Sequence, residues 1–323
     1  MKLSDLEIFV VGNPPPGWGG RYFIFVKLTT SDGLVGYGEV YSASVGPKAM
    51  RGVIEDVFER HMRWENPENI EMMFRRAYSS GFTQRPDLTV MGAFSGLEMA
   101  CWDILGKAHE RPVYALLGGL MNERIRSYSY LYPLERHDIK TFWNDSEMAV
   151  ESAQHMLEQG FTAMKFDPAG PYTLRGGHQP ALSDIARSVA FCKRIRETVG
   201  TRADILFGTH GQFTTSGAIR LARELEPYDP LWFEEPCPPD NLLEFANVAR
   251  QCRAFQRHFT RRPRALGFGF NDLACFRHRC PGSLYHGLSR ASRPRRQCRQ
   301  CFDIDALSIR RRQFRVRMAV QPQ

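Results

Sequence analysis

The sequence predicts an α+β unit followed by a truncated (β/α)8 barrel of TIM type, and then a C-terminal tail without recognisable fold. Three observations carry this. Strand-like and then helical patterns fill roughly the first 120 residues, as expected of an α+β unit. From Arg124 strand and helix alternate, and repeated βα units of roughly 30 to 40 residues imply parallel strands. After residue 252 both patterns stop and the charge changes sign. The expected boundaries are 1–123, 124–252 and 253–323.

In the first unit, YFIFVKL (22–28) and LVGYGEV (34–40) read as strands joined through Ser31-Asp32-Gly33, which is hairpin turn chemistry. Residues 48–62 set Met50, Val53, Ile54, Val57, Phe58 and Met62 along one stripe at helical spacing. A second helix runs through SGLEMACWDILGKA, with Leu97, Ala100, Cys101 and Ile104 on one face; Met99 and Trp102 are expected in the core. Pro112 opens a short helical turn that ends at Gly118-Gly119.

In the second unit, strands are expected at 126–132, 161–167, 204–209 and 231–235, and helices at about 146–158, 183–199, 216–226 and 241–251. Ser183 and Asp184 are cap candidates, and Gly160 and Gly200 sit where helices should stop. Four such units make half of a (β/α)8 barrel or an open doubly wound sheet. No Gly-rich dinucleotide fingerprint follows a strand, which weighs against a Rossmann domain. A full barrel takes about 250 residues, and the βα region here covers roughly half that.

The 323 residues carry 43 Lys+Arg against 35 Asp+Glu, a net charge of +8 that invites a nucleic-acid partner. Dividing the chain removes the invitation. Residues 1–252 hold 26 Lys+Arg and 32 Asp+Glu, net −6, whereas residues 253–323 hold 17 Arg, no Lys, 3 Asp and no Glu, net +14. A basic arm normally mixes Lys with Arg, but this tail carries four Cys among Phe and Pro. At the body's frequency of 20 Glu in 252 residues, the tail should hold about five or six. An Arg- and Cys-rich, Lys-free composition is what GC-rich coding DNA gives in the wrong frame. The tail is therefore expected to be out-of-frame or disordered, with a frameshift near codons 252–254. A binding arm built on RRPR, RPRR and RRR is the competing reading, and no nucleic-acid partner is expected.

Cys298 and Cys301 form one isolated CxxC pair, without metal spacing elsewhere. No run of eighteen apolar residues occurs, and MKLSDLEIFVV lacks a signal peptide's basic start. The expectation is a cytoplasmic protein with no membrane partner.

Catalytic side chains in a βα barrel sit at the C-terminal ends of strands. Those ends supply Lys165 and Asp167, Thr209 and His210, and Glu234 and Glu235. A cation, an imidazole and carboxylates converging on one mouth can take a proton from the carbon beside a carboxylate. The loop PAGPYTLRGGHQP adds Arg175 and His178 as contacts for a polyhydroxy acid. Plain alternatives are a solvent-facing Lys165, a structural Asp167, a structural His210, a hydrogen-bonded structural Glu235 and an ordinary surface loop.

The segments FVKLTTSDGLVGYGEV, GLEMACWDILGKAHERPVYALLGG, GFTAMKFD and ELEPYDPLWFEEP resemble the mandelate racemase/muconate lactonizing enzyme branch of the enolase superfamily, over about residues 1–252. The resemblance implies an α+β capping domain over the active site, a modified TIM barrel, and Mg2+ as cofactor, with a Lys or His base. By that resemblance Lys165 matches the first Lys of the K-x-K element on strand two, and Asp167, a substrate contact, stands where the second Lys would be. His210 matches the acid/base His of the Asp-x-His element that ends strand three in galactonate- and mannonate-type dehydratases, with Gly208 in place of the ligand Asp. Glu234 matches the second metal ligand. The third belongs on strand five, where ARQCRAFQRHF offers no Gly-Glu pair. Trp18, in the Pro/Gly-rich NPPPGWGG (Asn13–Gly20), fits a lid over the barrel mouth.

The implied activity is Mg2+-dependent dehydration of an acid sugar, an aldonate or aldarate, to a 2-keto-3-deoxy acid. A racemase or cycloisomerase starts from the same enolate and is the alternative, as is a non-functional frameshifted product. The chain as written is expected to be inactive, and the intact protein to be a homo-oligomer.

Overall fold

The structure, a computed structural model, describes residues 1–252 apart from 43, 80–86, 170–176 and 240. Strands β1 (Leu3–Gly12), β2 (Tyr22–Thr30) and β3 (Val35–Val40) form an antiparallel sheet in that order. Alternation in β2 buries Ile24, Val26 and Leu28 on one face, the period-two arrangement of a half-buried strand. The β2–β3 turn closes through Gly33, whose φ of +86° a side chain would oppose. Strand β1 is absent from the sequence reading because its outer half, Phe9 to Val11, is apolar yet exposed, so no clean alternation marks it.

Helices α1 (Pro47–His61), α2 (Ile70–Tyr78) and α3 (Leu88–Ala108) cover the buried face of this sheet, and α4 (Val113–Leu116) follows. Asp87 caps α3 by accepting from the amides of Thr89 and Val90. Helix α3 and strand β3 meet backbone to backbone. A Cβ at Gly38 would stand 1.9 Å from the Gly96 carbonyl oxygen, and one at Gly36 would stand 2.1 Å from that of Ala100. Helix α3 is long and apolar enough to cross a membrane by composition, but Leu97, Ala100, Cys101 and Ile104 are wholly buried in this layer. Met99 corrects the core expectation: it is exposed, while Trp102 is half-buried and donates to Glu98.

The second layer is a parallel sheet of β4 (Ser129–Tyr130), β5 (Ala163–Phe166), β6 (Asp204–Gly208) and β7 (Trp232–Glu234), in sequential order. Helices α5 (Ile139–Phe142) and α6 (Ser146–Glu158) follow β4, α7 (Leu182–Val199) follows β5, and α8 (Thr215–Leu225) follows β6. A 3-10 turn (Glu226–Tyr228) precedes β7, and α9 (Leu242–Gln251) follows it. Strand order that never reverses is the winding of a barrel wall rather than of a doubly wound sheet. Phe166, Phe207 and Phe233, on three adjacent strands, meet at 5.8 and 5.6 Å and anchor the core under the helices.

Two local expectations change. Strand β4 pairs over two residues rather than 126–132, because Arg126 turns to Thr162 and Asp204 at the sheet's lower edge. Helix α7 starts at Leu182 without a side-chain cap; Asp184 instead binds Arg187 within the first turn. Gly200 ends that helix as expected, at φ +55°.

Candidate active site

The parallel strands end on one side of their sheet. Strand β5 carries Lys165, with Asp167 just past its end; β6 stops at Gly208 and leads into Thr209 and His210; β7 stops at Glu234 beside Glu235. Because β6 lies between β5 and β7, any contact from β5 to β7 must cross it. Lys165 makes that crossing. Its Nζ donates to Glu234 Oε1 at 2.7 Å, and both side chains are largely buried. The path runs over Gly208, where a Cβ would stand 3.1 Å from Lys165 Cε and 3.9 Å from Nζ. The missing side chain at 208 is the space the lysine fills.

Asp167 and His210 form the second pair. The Asp167 side chain is only 3% exposed and its Oδ2 lies 2.8 Å from Nδ1 of His210, which is 53% exposed. An ionised carboxylate can only accept, so with Asp167 ionised the proton of this bond sits on Nδ1. This hydrogen bond raises the His210 imidazole above its ordinary range, against desolvation and the Lys165 charge. Burial pushes the Asp167 carboxyl upward, and the bond and charge of His210 pull it back. Burial, then the Glu234 charge, also raises Glu235.

The backbone at these two strand ends is unusual. His210 sits at φ +53° and Glu235 at φ +43°, a region uncommon for residues with a Cβ. Each turn holds the other. The Gly211 amide donates to the Glu235 carbonyl at 2.6 Å, and the buried Thr209 hydroxyl reaches the carbonyls of Glu234 and Glu235 at 2.7 and 2.6 Å. Thr209 thus fastens β6 to β7, which fixes where His210 stands.

An aromatic wall adjoins the pairs. Lys165 Nζ is 6.0 Å from the Tyr130 ring centre; Tyr130 stacks on Tyr132 at 4.7 Å, and Tyr132 on Trp18 at 4.6 Å. Asn13 holds the Trp18 loop by donating to the carbonyls of Trp18 and Gly20. Burial and the Asp167 charge raise the Tyr130 phenol, so it is a donor at neutral pH. Sequence reasoning missed both tyrosines, although the period-two run of Tyr128, Tyr130 and Tyr132 in RSYSYLY was the available signal.

His178 is drawn elsewhere. It exchanges backbone hydrogen bonds with Gln212 and Thr214, its ring packs on Phe213 at 5.3 Å, and its Nδ1 is buried without a partner among the described residues. Arg175 lies outside the described residues.

A divalent ion does not fit this donor set. Gly208 brings no side-chain oxygen, Lys165 occupies the adjacent space and engages Glu234, and no three His, Cys, Asp or Glu side chains among the described residues could hold a metal. Sites for Mg2+ need several oxygen donors around the ion.

Two family models match. One, the mandelate racemase/muconate lactonizing enzyme N-terminal domain, covers residues 19–118, and the other, the enolase C-terminal domain-like model, covers 148–256. The chain belongs to the mandelate racemase/muconate lactonizing enzyme branch of the enolase superfamily. A solved structure of a mandelate racemase/muconate lactonizing enzyme-like protein from Roseovarius sp. TM1035 is 69% identical, with a TM-score of 0.77 over 78% of this chain and 64% of that one. Among curated relatives, the D-gluconate/D-galactonate dehydratase of Picrophilus torridus is 32% identical over 77% of this chain and 61% of its own length. The D-xylonate dehydratase of Haloferax volcanii is 32% identical over 74% of this chain and 55% of its own. The chain therefore spans less than two thirds of the length of each of these relatives. For this branch the two layers correspond to the capping domain and the start of the barrel domain.

Proposed function

We propose that the strand-end cluster is the proton-transfer half of an acid-sugar dehydratase site. The observation that carries this is the pairing of a buried Asp167 with the half-exposed His210, beside the Lys165 cation, at the ends of adjacent parallel strands. The substrate's carboxylate lies toward Lys165. His210 takes the α-proton; the C–H electron pair passes into the carboxylate as an enolate, which the lysine's positive charge stabilises. The imidazolium then protonates the β-hydroxyl, the C–O bond breaks, and water leaves. The enol so formed becomes a 2-keto-3-deoxy acid. Curated relatives that are named dehydratases of gluconate, galactonate and xylonate support this class of substrate.

Trp18 closes the aromatic side of the site in this reading, and Arg175, outside the described residues, is assigned to the substrate's hydroxyls, whereas His178, held against Phe213, is not. Asp167, where a second lysine would serve two-base racemisation, favours dehydration over racemase or cycloisomerase chemistry. Mg2+ is the cofactor the resemblance implies, with Glu234 as a ligand, but Glu234 is engaged by Lys165 and the described donor set does not fit the ion. No step above depends on it. The four described cysteines, Cys101, Cys192, Cys237 and Cys252, are all buried, and the setting proposed is the cytoplasm.

The written chain is itself proposed to be inactive. The family match ends at residue 256, close to where the charge turns from net −6 to net +14, and a frameshift there accounts for both. The test is a chimera joining residues 1–252 to the C-terminal part of the Roseovarius protein, assayed on aldonates and aldarates with Mg2+. A 2-keto-3-deoxy product that disappears in H210Q is expected; a folded chimera inert on every sugar acid overturns the reading.

A further inference from the structure

We propose that Asp167 is a positioning residue: it fixes the His210 ring with the proton on Nδ1, so that Nε2 is the atom that exchanges a proton with substrate. The inference rests on the dehydratase reading for its purpose, but the geometry stands by itself. Asp167 comes from the end of β5 and His210 from the end of β6, so two neighbouring strands supply the carboxylate and the imidazole. The carboxylate is buried beneath the ring, with its side chain only 3% exposed. It therefore meets the imidazole rather than a ligand, which narrows the earlier expectation of a substrate contact.

Three constraints fix the ring. The 2.8 Å bond holds one edge, the φ of +53° at His210 sets the direction of its Cβ, and Thr209 and Gly211 on either side are tied to the β7 turn. A ring held this way can present Nε2 as acceptor when neutral and as donor when protonated, without turning over between the two steps. The other charges that bear on it are Lys165, which opposes protonation, and Glu235, which favours it.

The experiment uses the full chain labelled with 15N in its imidazoles, with H210Q identifying the His210 signals. The expected wild-type spectrum has His210 as the Nδ1–H tautomer when neutral, with a titration midpoint above that of an ordinary histidine. In D167A the tautomer preference disappears, and proton affinity falls at least tenfold. D167N, which keeps the side chain's shape, covers the case where D167A does not fold; it too should lose affinity at least tenfold. His137, which lies against Glu151 elsewhere, reports that the fold is intact. An unchanged midpoint and tautomer for His210 in a folded variant overturns the proposal. Because the readout is not turnover, that result leaves the dehydratase reading standing, and an inert chimera leaves this one standing.

Discussion

Lys165 on β5 reaches across the end of β6 to place its Nζ 2.7 Å from Oε1 of Glu234 on β7. With side chains 8% and 17% exposed, this is a mostly buried ion pair. Removing one partner leaves the other charge uncompensated, at a cost of about 3 kcal/mol. K165M or E234Q should each destabilise the protein by that order, and K165M/E234Q by less than the sum. Urea unfolding of the four proteins checks this; additive losses would mean that the two groups are not coupled.

The same crossing makes Gly208 informative. A methyl there would stand 3.1 Å from Lys165 Cε, so the lysine has to give by a few tenths of an ångström. G208A is expected to cost about 1 to 2 kcal/mol, as overpacking of a filled space does. In a K165A background the neighbour is gone, and the same change should be close to neutral. Equal costs in both backgrounds would show that backbone preference, not the lysine, disfavours a side chain at 208.

Much of this was legible in the sequence, and the misses have physical causes. Strands β2, β3, β5, β6 and β7 and helices α1, α3, α6, α7, α8 and α9 follow from periodicity. Strand β1 escaped because its exposed Phe9, Val10 and Val11 break the alternation, and α2 because nine residues beside Pro67 give too short a stripe. The strand-end residues Lys165, His210 and Glu234 could be found because a barrel puts chemistry there. Their pairing could not. That Lys165 meets Glu234, and Asp167 meets His210, depends on the side chain absent at Gly208 and on left-handed turns at 210 and 235. No local spacing encodes either.

The His210–Asp167 pair also fixes a pH dependence. His210 is raised above its ordinary value of 6.5, chiefly by the bond to Asp167. A histidine raised in the folded state adds stability that is full below about pH 6.5 and is lost as pH rises through its folded midpoint. Wild type should therefore lose stability relative to H210Q on passing from pH 6 to pH 9. D167N should flatten that difference. Urea midpoints at half-unit pH steps measure it, and a difference that grows with pH would contradict the sign.

Trp18 stacks on Tyr132 at 4.6 Å and meets Trp143 edge-on at 6.5 Å, so its ring packs the 13–20 loop onto the aromatic wall, where Tyr132 also meets the Gly19 backbone. Aromatic pairs of this kind are worth about 0.5 to 1.5 kcal/mol beyond area burial. W18A should lose the stack and leave the Tyr132 bond to the Gly19 backbone and the Asn13 bonds to the carbonyls of residues 18 and 20. Cleavage within 13–20 by a protease of broad specificity should accelerate about tenfold, the factor that 1.4 kcal/mol of local opening gives. Cleavage in α3, whose backbone contacts β3 through Gly36 and Gly38, should not change. A loop cut no faster in W18A would assign its closure to the polar contacts of Asn13 and Tyr132 rather than to the stack.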